Sequence, residues 1–91
     1  MSVIWKFPLQ ITDRQTVTMP KDAEILSVQM QYGLQMWAIV DPDAAREKRT
    51  IAIIGTGNTM PDFHSEGLST LHIDTVQTRC GMLVWHVFEL L

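Results

Sequence analysis

Residues 24–40, Glu24-Ile25-Leu26-Ser27-Val28-Gln29-Met30-Gln31-Tyr32-Gly33-Leu34-Gln35-Met36-Trp37-Ala38-Ile39-Val40, decide the fold. From Glu24 to Gln31, Leu26, Val28 and Met30 share one face and Ser27, Gln29 and Gln31 the other, the period of two of a half-buried strand. Tyr32-Gly33 breaks the run as a hairpin turn does. Leu34 to Val40 then resumes the alternation, with Leu34, Met36, Ala38 and Val40 on one side and Trp37 and Ile39 on the other. Apolar residues on both faces predict a central strand covered on both sides.

The same period extends in both directions. Val3 to Leu9 puts Trp5, Phe7 and Leu9 on one side of an extended segment, and Pro8, which cannot donate a ladder hydrogen bond, marks it as an edge strand or a strand end. Gln15 to Met19 alternates with Val17 and Met19 inward, and Pro20-Lys21-Asp22-Ala23 turns the chain. Asp41 to Glu47 is a polar turn that could hold one helical turn behind an Asp cap. Lys48 to Ile54 is a β-branched strand, with Ile51 and Ile53 alternating against Ala52 and Ile54. Leu71, Ile73 and Thr75 alternate with His72, Asp74 and Val76, and Met82 to Phe88 forms a last apolar strand after Arg79-Cys80-Gly81. About seven strands, regular turn signals and no extended helical period predict a single all-β domain over residues 1–91, a small antiparallel sandwich or barrel. Gly55 to Leu68, without a clear period, is the longest irregular stretch, and such loops are often functional.

Composition narrows the function classes. At 91 residues and 46% hydrophobic, the chain holds one core. Folding buries about 64% of the surface such a chain exposes, a marginal figure that favours an oligomer. Seven Lys and Arg against ten Asp and Glu give a net charge of −3, which argues against non-specific nucleic-acid binding. The single Cys80 excludes an internal disulfide framework and a Cys-based zinc site, which fits a cytoplasmic protein. No apolar run has the length of a spanning helix, and no signal peptide is expected.

Candidate sites each have a plainer structural role beside the functional one. The backbone N–H groups of Gly55-Thr56-Gly57-Asn58 could cradle a phosphate, or the glycines could only shape a turn. No third spaced glycine or following helix makes this a dinucleotide fingerprint or a P-loop. Arg46, Lys48 and Arg49, with Lys6 and Arg79, could supply charge-assisted bonds to an anion, or stand as solvated charges at strand ends. Trp5, Trp37 and Trp85 are core residues first, with stacking on a base or a place at a subunit interface as the sharper alternative. His86 is either a satisfied structural histidine or a ligand contact. His64, His72 and His86 have no metal-ligand spacing, Ser65 and Ser69 lie in no nucleophile elbow, and Cys80 has only Arg79 to activate it. The carboxylates Asp41, Asp43, Asp62 and Glu66 fall in turns, where capping is their ordinary role.

The strings Ile4-Trp5-Lys6-Phe7-Pro8-Leu9, Gln15-Thr16-Val17, Met19-Pro20-Lys21, Ile25-Leu26-Ser27-Val28-Gln29, Trp37-Ala38-Ile39-Val40-Asp41-Pro42, Ile54-Gly55-Thr56-Gly57 and Val84-Trp85-His86-Val87-Phe88-Glu89 resemble a family of small phage-encoded proteins of unknown function. The family offers no catalytic or binding residues to transfer, and the chain departs from it mainly between Met60 and Leu68. The phage context implies a structural accessory, or a counter-defence protein that inhibits a host protein or sequesters a nucleotide signal.

Together these readings predict a non-enzymatic, oligomeric β-protein without metal or cofactor that acts as a sponge for a small anionic, nucleotide-like ligand. Gly55, Thr56, Gly57 and Asn58 with Lys6, Arg49 and Arg79 would hold phosphates, Trp37 or Trp85 would stack on a base, and His86 would touch the ligand. Two copies would surround one ligand. The alternative is a protein-docking module, either a virion accessory or an inhibitor of a host protein.

Overall fold

A computed structural model describes all 91 residues. Seven strands form two antiparallel sheets that pack as a sandwich and do not close into a barrel. β1 (Val3–Leu9), β4 (Leu34–Val40) and β3 (Glu24–Met30) form one sheet in that spatial order. β2 (Arg14–Pro20), β5 (Arg46–Gly55), β7 (Leu83–Leu90) and β6 (Thr70–Thr78) form the other. No helix is long and apolar enough to cross a membrane. Residues 41–45 are a turn without a helix, in which the Asp43 N–H donates to Asp41 Oδ1 at 3.0 Å, and β5 begins at Arg46, two residues before the expected strand.

β4 lies at the centre of its sheet, and its alternation is that of the sequence: Leu34, Met36, Ala38 and Val40 are buried in the core between the sheets. Trp37 and Ile39 on the other face are only half-buried, because no layer of the chain lies over them; the expectation of cover on both sides is corrected here. β5 is the strand that is covered twice. Ile51 and Ile53 join the main core, while Ala52 and Ile54 join Phe63 and Leu90 in a second cluster under the 55–69 segment.

Two β-bulges overturn the simple alternation read at β3 and β6. The pairing shifts between Ile25 and Ser27, so Ile25 and Val28 lie beside Ala38 and Met36 on the core face of their sheet, whereas Leu26 is 44% exposed. A second shift between His72 and Asp74 turns Asp74 and Val76 onto the inner face and leaves Thr75 outside. An extra residue in one strand reverses the facing of everything beyond it.

The two bulged strands are edges of opposite sheets and meet at one side of the sandwich. There the Val28 N–H donates to Asp74 Oδ2 at 3.1 Å, so a carboxylate occupies a donor that an edge strand would leave open. On the opposite side β1 and β2 are not paired, and Val3, Trp5, Phe7 and Val17 are only half-buried. Arg46 lies over the Trp5 ring, 5.5 Å from its centroid.

Candidate functional site

Ile51 to Gly55 is buried, and the chain leaves β5 in a tight turn. The Asn58 N–H donates to the Gly55 carbonyl at 3.1 Å, and Gly57 has φ +90°, the left-handed third position that a type II turn reserves for glycine. Gly55 has a different reason to be glycine. A Cβ there would lie 2.9 Å from Asn58 Nδ2 and 3.0 Å from Trp85 Cζ3, so the indole and the amide pack directly on its backbone. The Thr56 N–H donates to the Val84 carbonyl at 3.0 Å. Of the four N–H groups expected to cradle an anion, those of Thr56 and Asn58 are therefore already engaged, while that of Gly57 has no partner in the chain.

β7 carries the next residues. The Trp85 indole N–H donates to Thr78 Oγ1 at 3.1 Å, which fixes the ring across the end of the sheet. His86 is hydrogen-bonded at both ring nitrogens, Nε2 to Thr56 Oγ1 at 2.7 Å and Nδ1 to Thr75 Oγ1 at 3.1 Å. Thr75 Oγ1 is also hydrogen-bonded to His72 Nε2 at 3.0 Å, and the His72 ring meets Phe88 edge-on at 5.4 Å. Two imidazoles and two hydroxyls thus form one chain along the outer face of the four-stranded sheet. Hydroxyls, and no carboxylate, are the side-chain hydrogen-bond partners of these two imidazoles. Through Nε2, His86 holds the Thr56 side of the turn.

The β6–β7 hairpin completes this end of the molecule. Arg79 and Cys80 have φ of +52° and +55°, consecutive left-handed positions that hairpins ordinarily fill with Asn and Gly. Such a pair costs on the order of 1–3 kcal/mol per residue and persists only where the surroundings hold it. The turn lifts Arg79 and Cys80 into solvent. Met82 and Leu83, just beyond it, line a cleft of about 340 Å³ with Thr56, Asn58 and Trp85. A second cleft of about 360 Å³ lies where Asn58 and Trp85 meet Ile11, Asp13 and Pro61. Trp85 and Asn58 line both.

The sequence-predicted residues accordingly separate into three groups. Gly55, Thr56, Gly57, Asn58, Trp85 and His86 come together at one end of the four-stranded sheet, with Arg79 on the adjacent hairpin. Lys6 and Trp37 are cross-strand neighbours on the outer face of the other sheet, where Lys6 Nζ donates to Gln31 Oε1 at 3.1 Å. Arg49 is at neither place. Its guanidinium makes a two-pronged bond to Glu89, with Nη2 to Oε1 at 2.9 Å, and donates through Nη1 to the Ala23 carbonyl at 2.9 Å. The hydrogen bond to Glu89 raises the Arg49 pKa above its ordinary value, so it remains a cation inside the fold rather than a free anion ligand. No group of three His, Cys, Asp or Glu side chains stands close enough to hold a metal ion.

Thr75, Thr78, Met82 and Leu83 were not foreseen as neighbours of the site. The cue for Met82 and Leu83 was present in Arg79-Cys80-Gly81, which breaks the strand pattern just before them and becomes, with Met82, the four-residue turn between Thr78 and Leu83. Thr75 had none, because the bulge at Ile73 decides its facing.

The carboxylates of the 55–69 segment are structural. Asp62 Oδ1 accepts the Ser65 N–H at 3.2 Å and caps a single 3₁₀ turn, Phe63–Glu66, which Gly67 ends at φ +75°. Glu66 takes both terminal nitrogens of Arg14, at 2.9 and 3.1 Å, and Arg14 lies 5.2 Å from the centroid of the buried Phe63 ring. The Arg14 hydrogen bond pulls the Glu66 pKa down. A family model described as a domain of unknown function, DUF7352, matches residues 1–91. No curated protein and no solved structure matches the chain.

Proposed function

For a chain that belongs to the DUF7352 family, we propose the function of a non-catalytic binding module that sequesters a small anionic, nucleotide-like ligand at the Thr56–Trp85 end of the sandwich. In this reading it is a phage-type counter-defence protein, acting as a sponge in the cytoplasm of the infected host. The observation that carries it is the state of the arginines. Arg14 is held by Glu66, Arg46 by the Pro42 and Ala44 carbonyls and Arg49 by Glu89, whereas the Arg79 guanidinium has no hydrogen bond or ion pair. It projects from a strained turn beside a cleft sized for a nucleoside.

In this site Arg79 would pair with a phosphate, the Gly57 N–H and the Asn58 amide would add hydrogen bonds, and Trp85 would offer its ring to a base. Thr56 and His86 would keep the turn in place through their hydrogen bond. Lys6, Trp37 and Arg49 have no part in it. One free guanidinium suits a ligand of low charge, such as a phosphodiester, better than a triphosphate. A protein-docking module, as virion accessory or inhibitor of a host protein, is the second reading, favoured by the uncovered outer face of the three-stranded sheet.

Native mass spectrometry and thermal melts with a panel of cyclic and ADP-ribose-type nucleotides test this. The expected result is an intact nucleotide retained at fixed stoichiometry, with stabilisation of about 2.7 kcal/mol at a hundred times Kd. Arg79→Ala should weaken binding about tenfold or more while the protein stays folded. Unchanged mass and melting temperature across the panel would overturn the reading.

A further inference from the structure

We propose that the outer face of the β1-β4-β3 sheet is the contact surface for a second copy of this chain. The register lays out this face in rows. Lys6, Trp37 and Ser27 lie in one row across β1, β4 and β3, and Ile4, Ile39 and Glu24 in the next. Ile4 is 60% exposed, and Trp37 and Ile39 are half-buried with no layer of the chain above them. The equivalent face of the other sheet is different, because the 55–69 segment covers its β5 side with Phe63 and Leu68, while His72 and Thr75 on β6 stay exposed.

Two features select a second copy as the occupant. The first is self-complementary charge. Lys6 stands at the β1 edge of the face, while Glu24 stands at the β3 edge near Asp22, Asp41 and Lys21, where acid outnumbers base. A two-fold axis along β4 lays β1 of one copy over β3 of the other. Trp37 and Ile39 then meet their own counterparts at the axis, and each Lys6 comes over the other copy's Ser27, one same-face row from its Glu24. Released from Gln31, the Lys6 side chain spans that row, about 7 Å along the strand, toward the carboxylate across a sheet spacing of about 10 Å. A two-fold interface requires this reciprocity.

The second is area. The Cα atoms form a slab of 41 × 34 × 15 Å, and a stable interface takes about 800 Å² from each partner. Only the broad faces of such a slab supply that, and one of them is already partly covered by the 55–69 segment. The protein also exposes 5830 Å², more than the roughly 5,400 Å² expected of a monomer of its mass.

Sedimentation equilibrium of the full chain at several concentrations, beside circular dichroism to verify folding, decides the matter. The wild type should weigh twice the 10.4 kDa of one chain. Lys6→Glu and Glu24→Lys should each raise the dimer Kd about tenfold or more by setting like charges opposite one another, and the double exchange should restore it. A folded wild type that stays monomeric, or a dimer indifferent to both single exchanges, would overturn the proposal.

Discussion

Glu89 is 3% exposed, a carboxylate in an interior that tolerates charge only when it is paired. Arg49 supplies that pair and also reaches the Ala23 carbonyl, so one side chain ties β5 and β7 to the turn before β3. Glu89→Ala would leave a guanidinium with only Glu47 near it, and should cost about 3–5 kcal/mol in urea unfolding. Replacing both residues, as Arg49→Met with Glu89→Leu, should cost far less. Equal losses in the single and double variants would show that shape, not charge, holds this place. The sequence displayed Arg49 as one more cation in a basic cluster. Its burial followed from Glu89 lying opposite Ile51 in the β5–β7 register, which no local pattern encodes. Arg79 was legible as a candidate because a lone cation at a turn keeps its charge in solvent whatever the pairing.

Among the elements, the 55–69 segment is held by short-range contacts, and one of them depends on pH. Glu66 has its folded pKa lowered by Arg14, so its contribution is present above the unfolded glutamate value and is lost as pH falls through the folded one. Hydrogen exchange at the Gly67 and Leu68 amides, which donate to His64 and Phe63, should therefore speed up relative to the strands at acidic pH. Protection that falls evenly across the chain would show that the segment opens only with the whole fold. The pair is exposed, so the effect belongs to the segment and not to global stability. Strand existence was readable because alternation is local. The facing of Leu26 and Thr75 was not, because each lies at or beyond a bulge, where the period of two breaks.

For the molecule as a whole, alternation predicted an all-β domain but left sandwich and barrel equal, since both present one face of each strand to the core. What decides between them is that β1 and β2 stay unpaired while β3 and β6 meet. The site was legible to the same degree: residues close in sequence, Gly55 to Asn58, were found together, and those on different sheets were not. The spatial order β2-β5-β7-β6 also places the last strand between two that precede it. Removing residues 83–91 should therefore abolish the cooperative thermal transition, whereas a chain that still melted cooperatively would show a core that stands without β7.

That placement has a consequence for synthesis. As the chain emerges, β5 and β6 are both made before the strand that separates them, so neither can find its β7 neighbour until Leu83–Leu90 follows. Meanwhile the Ile51–Ile54 run is without its β7 neighbour, and a hydrophobic strand in that state invites pairing with other chains. Folding must then be late and dominated by distant pairings, in the millisecond-to-second range of β-sandwiches. The nascent chain needs its interval of exposure to be short, and a ribosome that pauses before Leu83–Leu90 is made would be the hazard.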